Sequence, residues 1–318
     1  MPRILLVKTS SLGDVVHNLP VATDIRQERP EIRIDWLVEE QYVPLVALHP
    51  AVDRIIPIAL RRWRRHLLSG NSWREMGMFL RALRQHAYVA VIDTQGLLKS
   101  ALAARMARGP VYGFGPRTAR EPLASCFYSF ASEFPPEAHK ILRYRSVAAR
   151  ALGYNVPKSI DYGIAAHASN AAFAQGRCAV LFHATARAAK LWPEGRWKLI
   201  IAALSGRGWQ CILPWGSEAE RSRSERLASA APGTLVPSRL ALGDMAALLA
   251  RAELVIGVDT GLMHLAAALS RPVVGIFCDS NPMDACPVGS GPTTYRGGIG
   301  SPPSVDAVLG AIGEVVSF

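Results

Sequence analysis

The sequence predicts an α/β protein made of two doubly wound domains, each with a parallel sheet between layers of helices. Three observations lead to this fold class. At 318 residues the chain is too long for one ordinary core, and the usual domain size favours two. Short apolar runs typical of buried parallel strands alternate with helical segments, as in βαβ units. A turn-rich stretch from 154 to 176 interrupts this alternation, so we expect domains of residues 1–155 and 156–318.

The N-terminal domain begins with a strand from Arg3 to Lys8, a loop rich in hydroxyl groups, and a helix that starts at Asp14. Further strands are predicted at 32–38, 54–59, 88–93 and 111–114, and further helices at 72–86, 97–108 and 138–152. The segment 115–136 is predicted to be a long connection. The alternation of strands and helices is typical of one doubly wound domain.

The C-terminal domain repeats this order. Its predicted strands are 178–183, 209–213, 254–258 and 272–277, and its predicted helices are 194–205, 217–230, 242–251, a run from Leu262, and 304–316. We expect the strand at 272–277 to be the last one. The closing helix could pack back on the N-terminal domain, and the two sheets are expected to face each other across a cleft.

Composition argues against several classes of protein. Half of the residues are hydrophobic, which excludes a disordered chain. The sequence has no signal-peptide cleavage pattern and no uncharged apolar run of about 18 residues that could span a bilayer. The five cysteines lack a paired metal-ligand spacing, and Cys178 and Cys211 lie in predicted buried strands, so we expect a reducing cytoplasm. No GxGxxG fingerprint follows a strand, which argues against a dinucleotide oxidoreductase.

The net charge of +11 predicts an anionic partner, which could be nucleic acid, an acidic membrane surface or a phosphorylated substrate. Six arginines and no acidic residue lie between positions 54 and 74. Four apolar residues are interleaved with them: Trp63, Leu67, Leu68 and Trp73. This pattern is typical of a segment that rests on a charged interface, although an ordinary solvated helix face has it as well. Nucleic acid is not expected, since no helix-turn-helix, zinc finger or RNP-type motif is found.

The segment Leu254–Leu269, LVIGVDTGLMHLAAAL, predicts a buried strand followed by a helix. The turn between them, Asp259-Thr260-Gly261, would present the free amides of the helix N-terminus, which bind anions. Thr260 adds a hydroxyl group, Gly261 allows a phosphate to approach closely, and His264 follows one turn later at the same opening. The alternative is that Asp259 or Thr260 only caps the helix and that His264 is a satisfied polar neighbour.

Asp14 follows the hydroxyl-rich loop Thr9–Gly13 at the carboxyl edge of the first strand, where open α/β sheets bind ligands. A carboxylate in this position suits a general base, although a charge at a helix N-terminus is its commoner role. His17, one turn along, is near enough to interact with it. On the other wall, Lys190 suits a phosphate, and Glu220 could accept hydrogen bonds from ribose hydroxyls or be a solvated first-turn carboxylate. A base on one wall and phosphate on the other predict group transfer from a nucleotide donor.

Five segments carry a family resemblance: VKTSSLGDVVHNLP, YGFGPRTAREPLASCFY, FHATARAAKLWPEGRW, LPWGSEAER and VDTGLMHLAAAL. In this order the chain resembles the lipopolysaccharide heptosyltransferases of glycosyltransferase family 9, most closely those of type I. The resemblance implies a GT-B fold with two Rossmann-like domains. It also implies inverting transfer of L-glycero-D-manno-heptose from ADP-heptose to the Kdo region of Kdo2-lipid A, by an enzyme peripheral on the cytoplasmic face of the bacterial inner membrane.

The resemblance also assigns roles to residues. The base falls on Asp14, and the residues Thr9, Ser10, Ser11 and Gly13 are expected to lie beside the donor sugar or to form the loop next to it. Donor-binding positions are Thr185, Lys190, Glu220, Leu240, Asp259, Thr260, Gly261, Leu262 and His264. Cations expected to hold the acidic acceptor are Arg61, Arg62, Arg64, Arg120, Lys140 and Arg143. Ala186 stands where the family has a second hydroxyl, which removes one phosphate hydrogen bond.

No obligatory cofactor and no metal ligand are predicted. A Mg²⁺ ion could accompany the diphosphate, but Asp259 alone is not a metal site. Three alternative functions remain at this point: a type II heptosyltransferase or related ADP-sugar transferase, a nucleotide-sugar epimerase of the same two-domain fold, and a non-catalytic binder. They differ in whether an acceptor is required and whether Asp14 is needed.

Overall fold

The computed structural model describes residues 1–66, 69–135, 138–165, 176–282 and 286–317. The chain divides into two compact units, Met1–Ile164 and Ala165–Phe318. Each unit contains a parallel sheet with helices packed on it, so the predicted α/β class is confirmed. Leu67 and Leu68, two apolar residues of the cationic segment, lie outside the described residues.

The strands of the N-terminal unit are β1 (Arg3–Val7), β2 (Arg33–Glu39), β3 (Arg54–Ile58), β4 (Ala90–Asp93), β5 (Val111–Phe114) and β6 (Phe130–Ser132). Its α-helices are α1 (Leu12–Val16), α2 (Leu19–Glu28), α3 (Val43–Val46), α4 (Leu60–Trp63), α5 (Gly70–Leu83), α6 (Leu98–Arg105) and α7 (Lys140–Leu152). Two 3₁₀ helices span Glu40–Tyr42 and Pro122–Phe127.

The order of the strands determines where this unit can bind a ligand. The sheet order is β3-β2-β1-β4-β5-β6, and neighbouring strands are parallel. The chain builds outward from β1 through β2 and β3, then crosses to β4 on the other side. Loops after β1 and β4 therefore diverge, and the crevice at their carboxyl ends is the topological switch point where open α/β sheets bind ligands.

The strands of the C-terminal unit are β7 (Cys178–Phe182), β8 (Gln210–Ile212), β9 (Leu254–Val258), β10 (Val273–Phe277) and β11 (Thr293–Gly297). Its helices are α8 (Glu194–Ser205), α9 (Glu218–Ala228), α10 (Leu242–Arg251), α11 (Gly261–Ala268) and α12 (Val305–Val315), with a 3₁₀ turn at Ala188–Lys190. The parallel sheet has the order β11-β10-β9-β7-β8. Its switch point lies between β7 and β9.

Two edge strands were not predicted. The prediction that 272–277 is the last strand is wrong, because β11 pairs with β10 beyond it. The segment predicted as a connection, 115–136, contains β6 and a 3₁₀ helix. Both missed strands are short edge strands with partly exposed side chains, so they lack the apolar run that marks a buried parallel strand.

The first predicted helix is also divided differently. Asp14 is the third residue of α1 rather than its first. The helix ends at Val16, and a second helix, α2, begins at Leu19. Pro20 lies in the first turn of α2, where its fixed φ and missing N–H are tolerated, whereas inside a longer helix it would remove a hydrogen bond.

The core of the C-terminal unit anchors the loop that follows β7. Trp192 and Trp197 are fully buried with their rings edge to face, 5.4 Å between centroids, and the Trp192 indole N–H donates to the carbonyl of Pro303 at 3.0 Å. These contacts fix the chain just after the 3₁₀ turn that follows β7. Cys178 and Cys211 are buried in strands, as predicted. Within the described ranges, no helix is both long and apolar enough to cross a bilayer.

Candidate active site

A cavity of about 420 Å³ opens at the switch point of the N-terminal unit. The loops after β1, β4 and β5 contribute to it, together with the first turns of α7. It is lined by Lys8, Asp14, Gln95, Phe114, Arg117, Thr118, Ala119, Arg120, Lys140, Arg143 and Tyr144. Five of these residues are cationic and one is a carboxylate, so the cavity is strongly positive around Asp14.

The Asp14 carboxylate is held by hydrogen bonds on both of its oxygens and is 8% exposed. Oδ2 accepts from the backbone N–H and the hydroxyl of Ser11, at 3.1 and 3.2 Å. Oδ1 accepts from the phenol of Tyr144, at 3.2 Å. The Arg120 guanidinium lies 3.6 Å from Oδ2. Asp14 thus caps α1, as its commoner role requires, and also faces a cavity, as a general base requires.

Opposing effects set the protonation state of Asp14. Burial alone would raise the pKa of its carboxyl group. Other groups outweigh burial and hold the pKa below its usual value: the charge of Lys8, the N–H of Ser11, and the charges of Lys140 and Arg120. Asp14 is therefore a carboxylate at neutral pH, the form that accepts a proton. Burial and the neighbouring charge of Asp14 raise the pKa of Tyr144, so its phenol remains a donor.

Lys8 supports this carboxylate from inside the protein. Its side chain is buried, and Nζ donates to the carbonyl of Thr94 at 2.8 Å. The same nitrogen lies 3.4 Å from the ring centre of Tyr144, a cation–π contact. Burial lowers the pKa of Lys8 to about 7, a larger effect than the opposing charges of Asp14 and Asp93.

The depressed pKa of Lys8 makes the stability of the N-terminal unit depend on pH. The unfolded amine has its ordinary pKa of 10.5, whereas the folded one titrates at about 7. Between these values the unfolded state binds more protons, so the free energy of unfolding rises with pH. From about pH 7 to about pH 9 we expect the native protein to gain ~2 kcal/mol that Lys8→Met does not gain.

Urea denaturation at pH 7 and pH 9, monitored with a probe attached to the N-terminal unit, measures this change in the free energy of unfolding. Lys198→Met in α8 is the control and should keep the native pH dependence. Equal pH dependence in the native protein and Lys8→Met would show that the buried amine does not titrate in this range.

The loop before Asp14 is fixed by two residues, Gln95 and Lys99, that no sequence motif marks. The side-chain oxygen of Gln95 accepts from the N–H groups of Thr9 and Ser10, both at 3.1 Å. The Lys99 ammonium donates to the Ser10 hydroxyl at 2.9 Å. Gln95 follows β4, the strand across the switch point, so knowledge of the strand order would have singled it out.

The structure divides the predicted acceptor-binding cations into two groups. Arg120, Lys140 and Arg143 line the Asp14 cavity, and Arg117, which had no predicted role, joins them. Arg62 does not line it: it pairs with Glu40 at 2.9 Å and with Glu75 at 2.8 Å, beside a different cavity. Arg61 and Arg64 are exposed at α4.

In the C-terminal unit, the loops after β7 and β9 are tied together at the switch point. The Lys190 ammonium forms an ion pair with the carboxylate of Asp259. The Thr185 hydroxyl donates to the backbone carbonyl of Asp259 at 3.1 Å. Because β7 and β9 are neighbours, these residues meet although about 70 positions separate them. An anion bound here would compete with Asp259 for the Lys190 ammonium.

The turn after β9 has the geometry that the sequence predicts for an anion site. Thr260 is the N-cap of α11 with extended backbone angles, and Gly261 begins the helix. The first-turn amides of an α-helix have no intrahelical partners and carry the positive end of its dipole. Gly261 and Leu262 are partly exposed there, whereas His264 is 6% exposed, so little of its ring reaches solvent.

Glu220 and Leu240 lie on the β8 side of the same sheet. Glu220 is in the first turn of α9 and accepts from the N–H of Gly216 at 2.7 Å, while its own N–H donates to the Ser217 hydroxyl at 3.3 Å. Leu240 is partly buried, two residues before α10 begins. No group of three His, Cys, Asp or Glu side chains that could hold a metal ion occurs among the residues that the structure describes.

One sheet presents a buried carboxylate among cations, and the other presents the N-terminus of α11 beside Lys190, each at its switch point. This arrangement is the one expected of an enzyme that transfers a group from a nucleotide-type donor, and the comparisons with known proteins show that the class is that of the glycosyltransferases. The chain belongs to glycosyltransferase family 9 (heptosyltransferase), whose family model matches residues 76–307.

Individual relatives agree with this assignment. The chain is 44% identical over 283 residues to lipopolysaccharide heptosyltransferase 1 of Escherichia coli K12, covering 88% of this chain and 89% of the relative. It is similar to the structure of the E. coli heptosyltransferase WaaC with ADP, with a TM-score of 0.93, 40% identity, and coverage of 99% and 100% of the two chains. For the same enzyme with ADP-2-deoxy-2-fluoro heptose, the TM-score is 0.88 at 41% identity, with the same coverage. The GT-B fold class implied by the resemblance is confirmed by these matches.

Proposed function

We propose that this protein is an inverting heptosyltransferase of type I that transfers L-glycero-D-manno-heptose from ADP-heptose to Kdo of Kdo2-lipid A, in the inner core of lipopolysaccharide. The observation that carries the proposal is the position of Asp14, a hydrogen-bonded carboxylate inside a cavity lined by five cations. Such a cavity suits an acceptor that brings negative charge and one hydroxyl group to be deprotonated. The similarity to lipopolysaccharide heptosyltransferase 1 supports the choice of sugar and acceptor.

The C-terminal unit is proposed to bind the ADP of the donor. Lys190 and the first-turn amides of α11, from Gly261 on, would hold the diphosphate. Thr185, Thr260, Leu262 and His264 would line the same subsite, and Glu220 and Leu240 would contact the nucleoside. As the bond from the sugar carbon to ADP lengthens, negative charge grows on the diphosphate. Preorganised donors aimed at that charge lower the barrier to transfer.

Asp14 is proposed to take the proton of the attacking acceptor hydroxyl. A sugar hydroxyl is too weak an acid to ionise beforehand, so proton removal accompanies attack. The hydrogen bonds from Ser11 and Tyr144 aim the carboxylate. The loop Thr9–Gly13, fixed by Gln95, would lie beside the donor sugar. Attack on the face opposite to the departing ADP inverts the configuration of the sugar carbon.

The cations of the Asp14 cavity are proposed to bind the acidic acceptor. Arg117, Arg120, Lys140 and Arg143 line the same cavity as Asp14. They would bind the carboxylate of a sugar acid placed in that cavity. Arg61, Arg62 and Arg64 would contact lipid A phosphates further from the reacting hydroxyl. Since that acceptor is a lipid, we also propose that the enzyme works at the cytoplasmic face of the bacterial inner membrane.

Release of ADP from ADP-heptose tests the proposal, with and without delipidated Kdo2-lipid A. We expect release only with the acceptor, together with a product that carries one added heptose of inverted anomeric configuration. Release that requires an acceptor already carrying heptose would identify a type II enzyme instead. Turnover of the donor sugar without any acceptor would identify an epimerase, and binding of ADP-heptose without turnover a non-catalytic binder.

A further inference from the structure

The outward side of α5 carries apolar and cationic side chains together. At about 100° per residue, one side of this helix and its C-cap presents Trp73, Arg74, Met78, Arg81 and Arg84, which we call the α5 face. Trp73 is 63% exposed and Met78 51% exposed, among the most exposed large apolar side chains of the unit. Phe79 and Leu83 on the opposite side are buried in the core below β3, so the orientation of the helix is fixed.

The α5 face lies in the most basic part of the chain. Seven arginines and one glutamate occur between positions 60 and 84, a net charge of +6 out of the total of +11. The glutamate, Glu75, accepts hydrogen bonds from the guanidinium of Arg62 and from the indole N–H of Trp63. Among the residues that the structure describes, neither Arg74 nor Arg81 takes part in a salt bridge. Their charge is therefore available to an external anion.

Apolar surface continues inward from the α5 face. Met78 lines a cavity of about 270 Å³ between β3 and α5, whose walls include Ile56, Ile58 and Phe79. At this cavity Arg62 pairs with both Glu40 and Glu75, and the three side chains together leave one negative charge. An exposed methionine beside an apolar cavity favours a partner that brings hydrocarbon as well as negative charge. A nucleic acid would bring phosphates but no hydrocarbon.

We propose that the α5 face is the surface by which this protein docks on an anionic phospholipid bilayer. Arg74, Arg81 and Arg84 would bind phosphate headgroups, while Trp73 and Met78 enter the boundary between headgroups and acyl chains. Tryptophan is enriched at this depth, and basic residues are attracted to anionic leaflets. This proposal depends on the proposed function in one respect: a lipid acceptor requires the enzyme to reach a membrane. The α5 face shares no residue with the lining of the Asp14 cavity.

Vesicle sedimentation with the full chain tests this surface without any acceptor. We expect binding to phosphatidylcholine vesicles that contain phosphatidylglycerol, little binding to phosphatidylcholine alone, and release by salt. Arg74→Gln with Arg81→Gln should weaken binding on the order of thirtyfold, since two attractive charges are lost. Trp73→Ser with Met78→Ser should weaken it as well and should remove quenching of tryptophan fluorescence by brominated acyl chains.

Matched controls come from exposed residues of the other unit. Leu199→Ser with Ile299→Ser, and Arg207→Gln with Arg239→Gln, should leave vesicle binding unchanged. The proposal is overturned if the α5 variants bind like these controls, if neutral vesicles bind equally well, or if the native protein binds no vesicles. It is also overturned if the α5 variants lose affinity for nucleic acid instead.

Turnover with the delipidated acceptor separates this proposal from the proposed function. The α5 variants should transfer heptose to that soluble acceptor at the native rate, because the α5 face does not line the Asp14 cavity. Absence of transfer by the native protein would overturn the proposed function and leave the vesicle result standing. Normal transfer without vesicle binding would overturn the docking surface alone.

Discussion

Asp14→Asn is expected to lower the rate of heptose transfer by at least about a hundredfold while ADP binding stays unchanged, a typical loss for a general base. The amide has nearly the shape of the carboxylate, and its carbonyl oxygen can still accept from the Ser11 N–H. The cap of α1 is therefore kept, but the proton acceptor is lost. ADP affinity is unaffected because the proposed donor-binding residues belong to the other unit.

Asp14→Ala provides the comparison that separates catalysis from capping. The alanine also removes the hydrogen bond that Asp14 accepts from the backbone N–H of the N-cap Ser11, which lowers stability by about 0.5–1.5 kcal/mol. If Asp14 is the base, both variants lose transfer to a similar extent, and Asp14→Ala unfolds earlier than Asp14→Asn because it loses the hydrogen bond to Ser11 as well as the charge. If Asp14→Asn turned over at a near-normal rate, Asp14 would be a helix cap and not the base. Single-turnover transfer and ADP titration measure the two quantities.

Buried parallel strands were the most predictable part of the fold. β9 spans Leu254–Val258 as predicted, because a strand covered on both faces is a continuous apolar run. The helices α8 and α10 also begin and end where the sequence predicts. The edge strand β11, TTYRG, has the composition of a polar connection, and what makes it a strand is its pairing with β10. A single-sequence pattern contains no information about that partner.

The candidate site was predictable only as far as its residues lie in sequence motifs. Asp14 and the Asp259-Thr260-Gly261 turn follow strands directly, so strand prediction was enough to place them at a sheet edge. Tyr144 and Lys8 were missed. Tyr144 is 130 positions from Asp14 and reaches it only because α7 packs on β4 and β5. In the sequence, Lys8 is a charged residue at the end of an apolar strand. The residues on either side of it do not indicate that its amine is buried in the protein.

The ion pairs of the cationic segment could not be predicted either. A run of arginines in the sequence indicates charge but not which of them are already paired. Arg62, in α4 after β3, meets Glu40 because β2 is the neighbour of β3, and it meets Glu75 because α5 packs beside β3. Arg120, in the loop after β5, lies 3.6 Å from the Asp14 carboxylate instead. Sorting these cations into a cavity, an ion-pair cluster and an exposed helix face required the structure.

Lys190→Ala is expected to weaken ADP binding by about tenfold to a hundredfold, the range for one charge-assisted hydrogen bond of about 1.5–3 kcal/mol. Turnover at saturating donor should fall as well, because the negative charge on the diphosphate is larger in the transition state than in the bound donor. Removal of the ammonium also leaves Asp259 unpaired beside the incoming diphosphate, which adds repulsion to the loss.

Asp259→Asn distinguishes the two contributions of this ion pair. It removes the competitor for the Lys190 ammonium, so ADP should bind at least as tightly as to the native protein if Lys190 is a diphosphate ligand. If Asp259 instead contacts the donor itself, the same substitution weakens binding. Calorimetric titration with ADP and steady-state transfer rates give the measurements, with Lys198→Ala as the control for loss of a lysine. Native values for both binding and turnover in Lys190→Ala would contradict the assignment of Lys190 to the diphosphate, and Lys190 would then serve only to tie the loops after β7 and β9 together.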